Sequence, residues 1–350
     1  MKKLLSITLG LGGLVAVILG GWLLYQTSKA SKKIEASINQ FIAQELVFLD
    51  FAPFVCEGFV EVVCKSESVR YNPITTNFNL SQMPAMPNTI AQNIQITLSG
   101  NTQKAKVGLS AHLNEPNFQA SCDIELSLAT KEVYLPSGED LLSYNKGQQK
   151  PMRLLSTQIQ CKNHNDEYLQ KSDIAFDITH NDFANKDLQE IFSLLKNPQS
   201  QFLQEMYFRL NHIDINMHSN NLKEYVARIL FNSTQHNDIE RTIFALNFMR
   251  DSLLGEIKGA DNDNIEAFSR NLAKTLLLFR DILEGKVNNA RFSLQAKSDT
   301  TPLVQLDKWS LTLVVVGNYS LSANSEDNEG DSQMQHLESP SQPTNPTPQP

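Results

Sequence analysis

Thr89–Leu98 reads TIAQNIQITL, and its period decides the fold. From Ile94 onward every second side chain is aliphatic, and Gln95 and Thr97 stand between them. Successive side chains of a strand point to opposite faces, so this period of two buries one face and leaves the other wet, as in antiparallel sheets. The pattern continues on both sides. Upstream are Ser68–Tyr71 and Thr76–Leu80; downstream are Ala105–Leu113 (AKVGLSAHL), Ser121–Leu128 (SCDIELSL), Leu154–Cys161 (LLSTQIQC) and Ser172–Thr179 (SDIAFDIT). The β-branched FVEVV at 59–63 suits a further strand. Loops are expected at Met83–Pro87, Asn114–Asn117 and the Gly, Ser and Gln-rich stretch Pro136–Pro151.

Beyond His180 the period lengthens. Asn185–Lys196 reads as a helix stopped by Asn197-Pro198, Tyr207–Met217 returns to strand, and Asn221–Phe231 is helical again. Two longer helices follow. Asp238–Lys258 carries Ile239, Ile243, Leu246, Leu253 and Ile257 on one face, and Ile265–Leu283 carries Ile265, Phe268, Leu272, Leu276, Phe279 and Leu283. Gly259 suits a C-terminal cap of the first, Asp263 with Glu266 an N-terminal capping pair of the second, and Gly285 its end. Ala290–Lys297 and Trp309–Leu321 close the body as strands. The expected class is α+β: a long, curved antiparallel sheet over 50–322, with a helical insertion at about 185–286 on one face. A separate β domain and helical domain is the competing division.

Ahead of this body, Leu4–Tyr25 (LLSITLGLGGLVAVILGGWLLY) holds 22 residues without a charge. As a helix it spans roughly 33 Å, enough for a hydrocarbon core of about 30 Å. It is read as a transmembrane signal anchor with residues 1–3 in the cytoplasm; a cleaved secretory signal is the competing reading, but the apolar run exceeds the usual length. Gly12, Ala16 and Gly20 recur every four residues, a spacing that lets two membrane helices approach and self-associate. Residues 26–49 form an amphipathic linker helix, with Ile34, Ile38, Phe41, Ile42, Leu46 and Leu49 on one stripe.

Charge is uneven. The chain has 38 acidic and 30 basic residues, but Ala323–Pro350 holds five acids, five prolines and neither Lys nor Arg. That tail cannot bury enough apolar surface to offset chain entropy and is expected to be disordered. The rest is near neutral and offers no basic stripe for phosphates, which argues against a nucleic-acid partner. Four cysteines, Cys56, Cys64, Cys122 and Cys161, fit two disulfides in an exported body. Four cysteines allow three pairings. Cys56–Cys64 with Cys122–Cys161 closes the shortest loops, provided that the chain turns near Glu57-Gly58, because a straight strand would hold Cys56 and Cys64 beyond bonding reach. Four reduced, buried thiols are the alternative.

Signatures of chemistry fail one by one. Cys161-Lys-Asn-His164 is half of a zinc spacing without its other half. Asp261-Asn-Asp263 lacks the Gly and Glu of a calcium loop. His180-Asn-Asp182 and His212-Ile-Asp214 have no nucleophile in an activating context. No catalytic residue, metal ligand or cofactor is therefore expected. The wide apolar helix face at Leu272, Leu276, Phe279 and Leu283 is a candidate surface for a hydrophobic ligand. In architecture alone, an N-terminal anchor followed by many alternating strands is similar to AsmA-like bacterial envelope proteins, although fold does not carry function. The expectation is a non-enzymatic, single-pass protein of the inner membrane, its body a periplasmic scaffold or interaction domain for other envelope proteins. The alternative is a tethered carrier of lipid or another hydrophobic molecule.

Overall fold

The computed structural model describes residues 30–46, 49–58, 60–71, 89–114, 117–135, 148–196, 202, 205–231, 236–257, 263–298, 301–305 and 318–325. The anchor at 4–25 with Gly12, Ala16 and Gly20, the strand at 76–80, the cap at Gly259 and most of the acidic tail lie outside these residues. Among the described residues no helix is long and apolar enough to cross a membrane.

The expected alternation becomes a 12-stranded antiparallel sheet. Helix α1 (Ala30–Glu45) leads into β1 (Leu49–Phe51), β2 (Val55–Gly58), β3 (Glu61–Tyr71), β4 (Thr89–Gly100), β5 (Lys104–Leu113), β6 (Phe118–Leu135), β7 (Gln148–His164) and β8 (Tyr168–Thr179). A 3₁₀ turn at Asn181–Phe183 and helix α2 (Leu188–Lys196) precede β9 (Tyr207–Ser219). Helices α3 (Leu222–Phe231), α4 (His236–Ile257) and α5 (Asp263–Leu283) come next, then β10 (Asn289–Ala296), β11 (Val304–Gln305) and β12 (Tyr319–Asn324). The main order is β1-β3-β4-β5-β6-β7-β8-β9-β10-β12, with β2 on β3 and β11 on β9. Neighbours in sequence are neighbours in space from β3 to β10, and helices intervene between β8 and β9 and between β9 and β10.

Several boundaries move for identifiable reasons. The linker helix ends at Glu45 and Leu49 enters β1, because Leu49–Phe51 pairs with Val69–Tyr71. The loop expected to run to Pro151 ends earlier: β7 starts at Gln148, opposite Leu135 of β6. A proline is tolerated there because β8 pairs with β7 only from Leu154 onward, so Pro151 sits on a free edge. The helix expected from Asn185 begins at Leu188, where the Glu190 N–H donates to Asp187 Oδ1 and the Asp187 N–H to Glu190 Oε2, a reciprocal cap. Glu266 accepts from Arg270 one turn on, and the Asp263 side chain of the expected capping pair lies outside the described residues. The far end of α5 follows expectation: Gly285 takes φ +76°, its N–H reaches Ile282 O, and Lys286 N–H reaches Asp281 O. The last strand persists to Asn324, two residues into the expected tail, because Ala323 and Asn324 pair with Phe292 and Arg291.

Gly58 makes the turn that the first disulfide needs. It takes φ +103°, and a side chain there would come within 2.0 Å of the Glu61 carbonyl oxygen. The hairpin places Cys56 directly opposite Cys64. Cys122 of β6 is likewise opposite Cys161 of β7. Both pairs are joined as disulfides, each with Cα atoms 4.0 Å apart. Two such bonds fit an oxidising, extracytoplasmic compartment.

Candidate functional site

The registers align apolar side chains into rows that cross the sheet. One row begins Val62–Leu98–Val107–Ile124 on β3 to β6. It continues Ile159–Ile174–Ile213 on β7 to β9 and ends Leu294–Leu321 on β10 and β12. Every position is Val, Leu or Ile. The adjacent row holds both disulfides: Cys56–Cys64–Ile96–Leu109–Cys122–Cys161, then Ser172–Ile215–Phe292–Ala323. A one-residue slip at any pairing would turn a strand's apolar set to the other face, so the continuity fixes the register throughout.

Two helical covers lie on this face, one at each end. At the β3 end, Ile34, Ile38 and Ile42 of α1 and Leu46 just past its end join Val62, Cys64, Ile96, Leu98 and Val107 in one buried cluster, which Phe183, Leu188 and Ile191 extend. Asn39 bridges to the backbone of Phe54 in both directions, donating to its O at 3.0 Å and accepting from its N–H at 2.9 Å. Glu35 accepts from the Cys56 N–H at 2.9 Å. That hydrogen bond, with help from Lys32, holds the Glu35 carboxyl below its ordinary range against the opposing effect of partial burial. At the other end, Leu278, Ile282 and Leu283 of α5 and Leu222, Val226 and Ala227 of α3 pack with Met217, Ala290 and Phe292. Phe118, Tyr168 and Tyr225 stack at 4.5–5.5 Å in the same cluster, and burial pushes the Tyr168 hydroxyl up to about 12.

Between the covers the row is half-buried. Ile124 touches the edge of the α1 cluster, and Ile174 and Ile213 touch a small cluster around Leu210, Val304 and Tyr319. Ile159 belongs to none of the buried clusters among the described residues. Val62, Leu98 and Val107 are 0% exposed, whereas Ile124, Ile159, Ile174 and Ile213 all keep part of their surface in solvent. Among the described residues this stretch is aliphatic, half-buried and several strands wide, and the half-buried Cys122–Cys161 disulfide borders it in the next row.

The expected ligand face on α5 divides. Leu283 is fully buried, and Phe279 stacks on Phe292 with ring centroids 4.5 Å apart, so both belong to the cover's core. Leu272 and Leu276 are half-buried. Half-buried apolar residues of the same kind lie on the strands, at Ile124, Ile159, Ile174 and Ile213, where alternation marks an inward face without saying what lies over it.

The opposite face is polar. Asp123, Gln160, Asp173 and Asp214 line one cross-strand row, in a shallow depression of about 690 Å³ with Lys162, Lys171 and Arg291 alongside. Asp173 accepts from Gln158 and Gln160 and lies 3.0 Å from His212 Nε2. Burial alone would raise its carboxyl, but the bonds from Gln160, His212 and Gln158 together hold it below the ordinary range. Asp214 pairs with Arg291 at 2.8 Å rather than with His212, so the sequence neighbours His212 and Asp214 form no catalytic couple. His180 Nδ1 accepts the Asp182 N–H, which makes that pair a local turn. Cys161 is in a disulfide and cannot serve as a zinc ligand with His164. No group of three or more His, Cys, Asp or Glu among the described residues could hold a metal ion. Near the β7–β9 end of this face, Asp177 is buried against Arg209 and accepts from Ser156 Oγ, while Arg209 also donates to the Thr301 carbonyl oxygen.

Compared with known proteins, the chain matches no family model and no curated protein sequence.

Proposed function

We propose that this protein is a non-enzymatic binding protein, anchored in a membrane by residues 4–25 with its body in the periplasm, and that its open apolar rows receive the hydrocarbon chain of a lipid. The observation that supports the reading is the continuous aliphatic row from Val62 to Leu321, fully buried under α1 but only half-buried around Ile159 among the described residues. Aliphatic side chains left in water cost about 25 cal/mol per Å², and covering them with a hydrocarbon chain recovers that amount without a directional contact. An extended acyl chain laid across the strands would touch one Ile per strand at about 4.8 Å intervals.

The test uses the full chain in lipid nanodiscs containing a phospholipid with a diazirine on one acyl chain. After irradiation, labelled peptides outside the anchor should map to β6–β8 around Ile124, Ile159 and Ile174. Ile159→Asp should remove that label while far-ultraviolet circular dichroism stays unchanged. Label confined to the anchor, or insensitive to Ile159→Asp, would defeat the reading and return the search to protein partners in the same membrane.

A further inference from the structure

Helix α4 lies on α5 through one face only. At 100° per residue, Ile239, Ile243, Leu246 and Leu253 fall on one side and Arg241, Phe244, Phe248 and Asp251 within roughly an 80° sector of the other. Phe244 is 74% exposed and Phe248 67% exposed, and Met249 beside them is 46% exposed. Soluble surfaces rarely set two such rings on successive turns without a partner. The spacing of the four outward residues is three, four and three, so the pattern is a palindrome about position 246 with opposite charges at its ends.

From this palindrome we infer that α4 is a two-fold interface that pairs with α4 of a second copy of this chain, antiparallel. The operation that maps 246 onto itself brings Phe244 to Phe248 of the second copy and Arg241 to Asp251 of the second copy, each contact made twice, as an isologous interface requires. Asp251 already accepts from Arg250 of its own chain at 2.7 Å, and the second guanidinium completes a charge cluster at each end. A parallel pair would set Arg241 on Arg241 and Asp251 on Asp251, so the charges select the direction. Ala245 is exposed on the flank of this sector, about 40° beyond Arg241, and so lies beside the dyad. A stripe of this length, about 15 Å, covers less than the ~800 Å² per partner of a stable soluble dimer. Anchoring both chains in one bilayer raises their effective concentration and makes the smaller interface sufficient.

The same operation fixes the test. Positions 245 of the two copies are offset by about 3 Å along the helix axis and positions 252 by about 18 Å. The native cysteines are paired, so an added cysteine is the reactive thiol. In full-length chain reconstituted in membranes, mild oxidation should trap Ala245→Cys as a covalent dimer and leave Ser252→Cys a monomer. Adding Arg241→Asp to Ala245→Cys should cut trapping roughly tenfold, and adding Asp251→Arg to both should restore it. The inference is overturned if Ala245→Cys stays monomeric, if both cysteines trap equally, or if charge reversal has no effect. A bilayer covering α4 would give the first of these results, together with loss of vesicle binding by Phe248→Ser.

Discussion

The two covers on the apolar face work by different means. Helix α1 is a single amphipathic helix whose apolar stripe seals the row beneath it, while Asn39 and Glu35 take the place of strand partners for the backbone of Phe54 and Cys56. The α3–α5 cover is thicker, rests on the sheet through α3 and α5, and turns a second apolar face outward on α4. The strands beneath do not distinguish the two ends, since the row through both disulfides meets both covers, at Cys64 and Ile96 under α1 and at Ile215, Phe292 and Ala323 under α3–α5. What differs is the lid, so burial of a row position is a property of the helix above it rather than of its own strand. Equivalent substitutions along one row should therefore have graded effects.

The largest effect is expected from the disulfides, and it sorts them in the opposite order to burial. Cys122–Cys161 closes a separation of 39 residues and Cys56–Cys64 one of 8. On the chain-entropy account, replacing the first pair by Ser should cost about 4 kcal/mol and the second about 2.5 kcal/mol. Urea unfolding of the detergent-solubilised chain measures both. A larger loss at Cys56–Cys64 would mean that the α1 cover depends on its crosslink more than on packing.

Next in size is the row itself. Leu98→Ala, under α1, should cost about 3 kcal/mol, because a sealed site leaves a cavity. Ile159→Ala, in the open stretch, should cost about 1 kcal/mol, since solvent already reaches the side chain and no sealed void forms. Equal costs would show that something covers Ile159 as fully as α1 covers Leu98. A bound hydrocarbon chain would do so, and the difference between lipid-loaded and stripped protein then becomes the sharper measurement.

How far these contrasts could be read from sequence differs by element. Alternation in Thr89–Leu98 and its neighbours places β4 to β9 on the page, and the 3–4 spacing of Ile239, Ile243 and Leu246 does the same for α4. Alternation says which side chains share a face of one strand, but register between strands comes from pairings far apart in sequence. The alignment of Ile124 with Ile159 therefore has no local signal. The same holds for Pro151, whose strand is acceptable only because β8 stops short of it. Asn39 and Glu35 read as the wet side of α1, and only the fold brings the backbone of Phe54 and Cys56 within their reach. Leu283 and Phe279 read as one apolar helix face, but Ala290 and Phe292, which share their buried cluster, sit on a strand that the pattern does not connect to them. The Arg241–Asp251 palindrome is visible in the letters. It gains meaning only once the inner face of α4 is known to be occupied.

The smallest effect concerns Glu35, and it separates the two covers by chemistry rather than by size. Its carboxyl is held below the ordinary value of 4.5, chiefly by the Cys56 N–H. A carboxyl lowered in the folded state favours folding at pH above its unfolded value, and that contribution disappears as pH falls through the folded one. Glu35→Gln should therefore cost about 1 kcal/mol at neutral pH. The gap between it and the unsubstituted protein should close as the pH is lowered below the ordinary glutamate range. Hydrogen-exchange protection of the Cys56 amide should fall in step, while β10 and β12, covered by the hydrocarbon of α5, should keep theirs. A gap that stayed constant with pH would mean that α1 is held by its aliphatic stripe alone, which would make the two covers alike in mechanism.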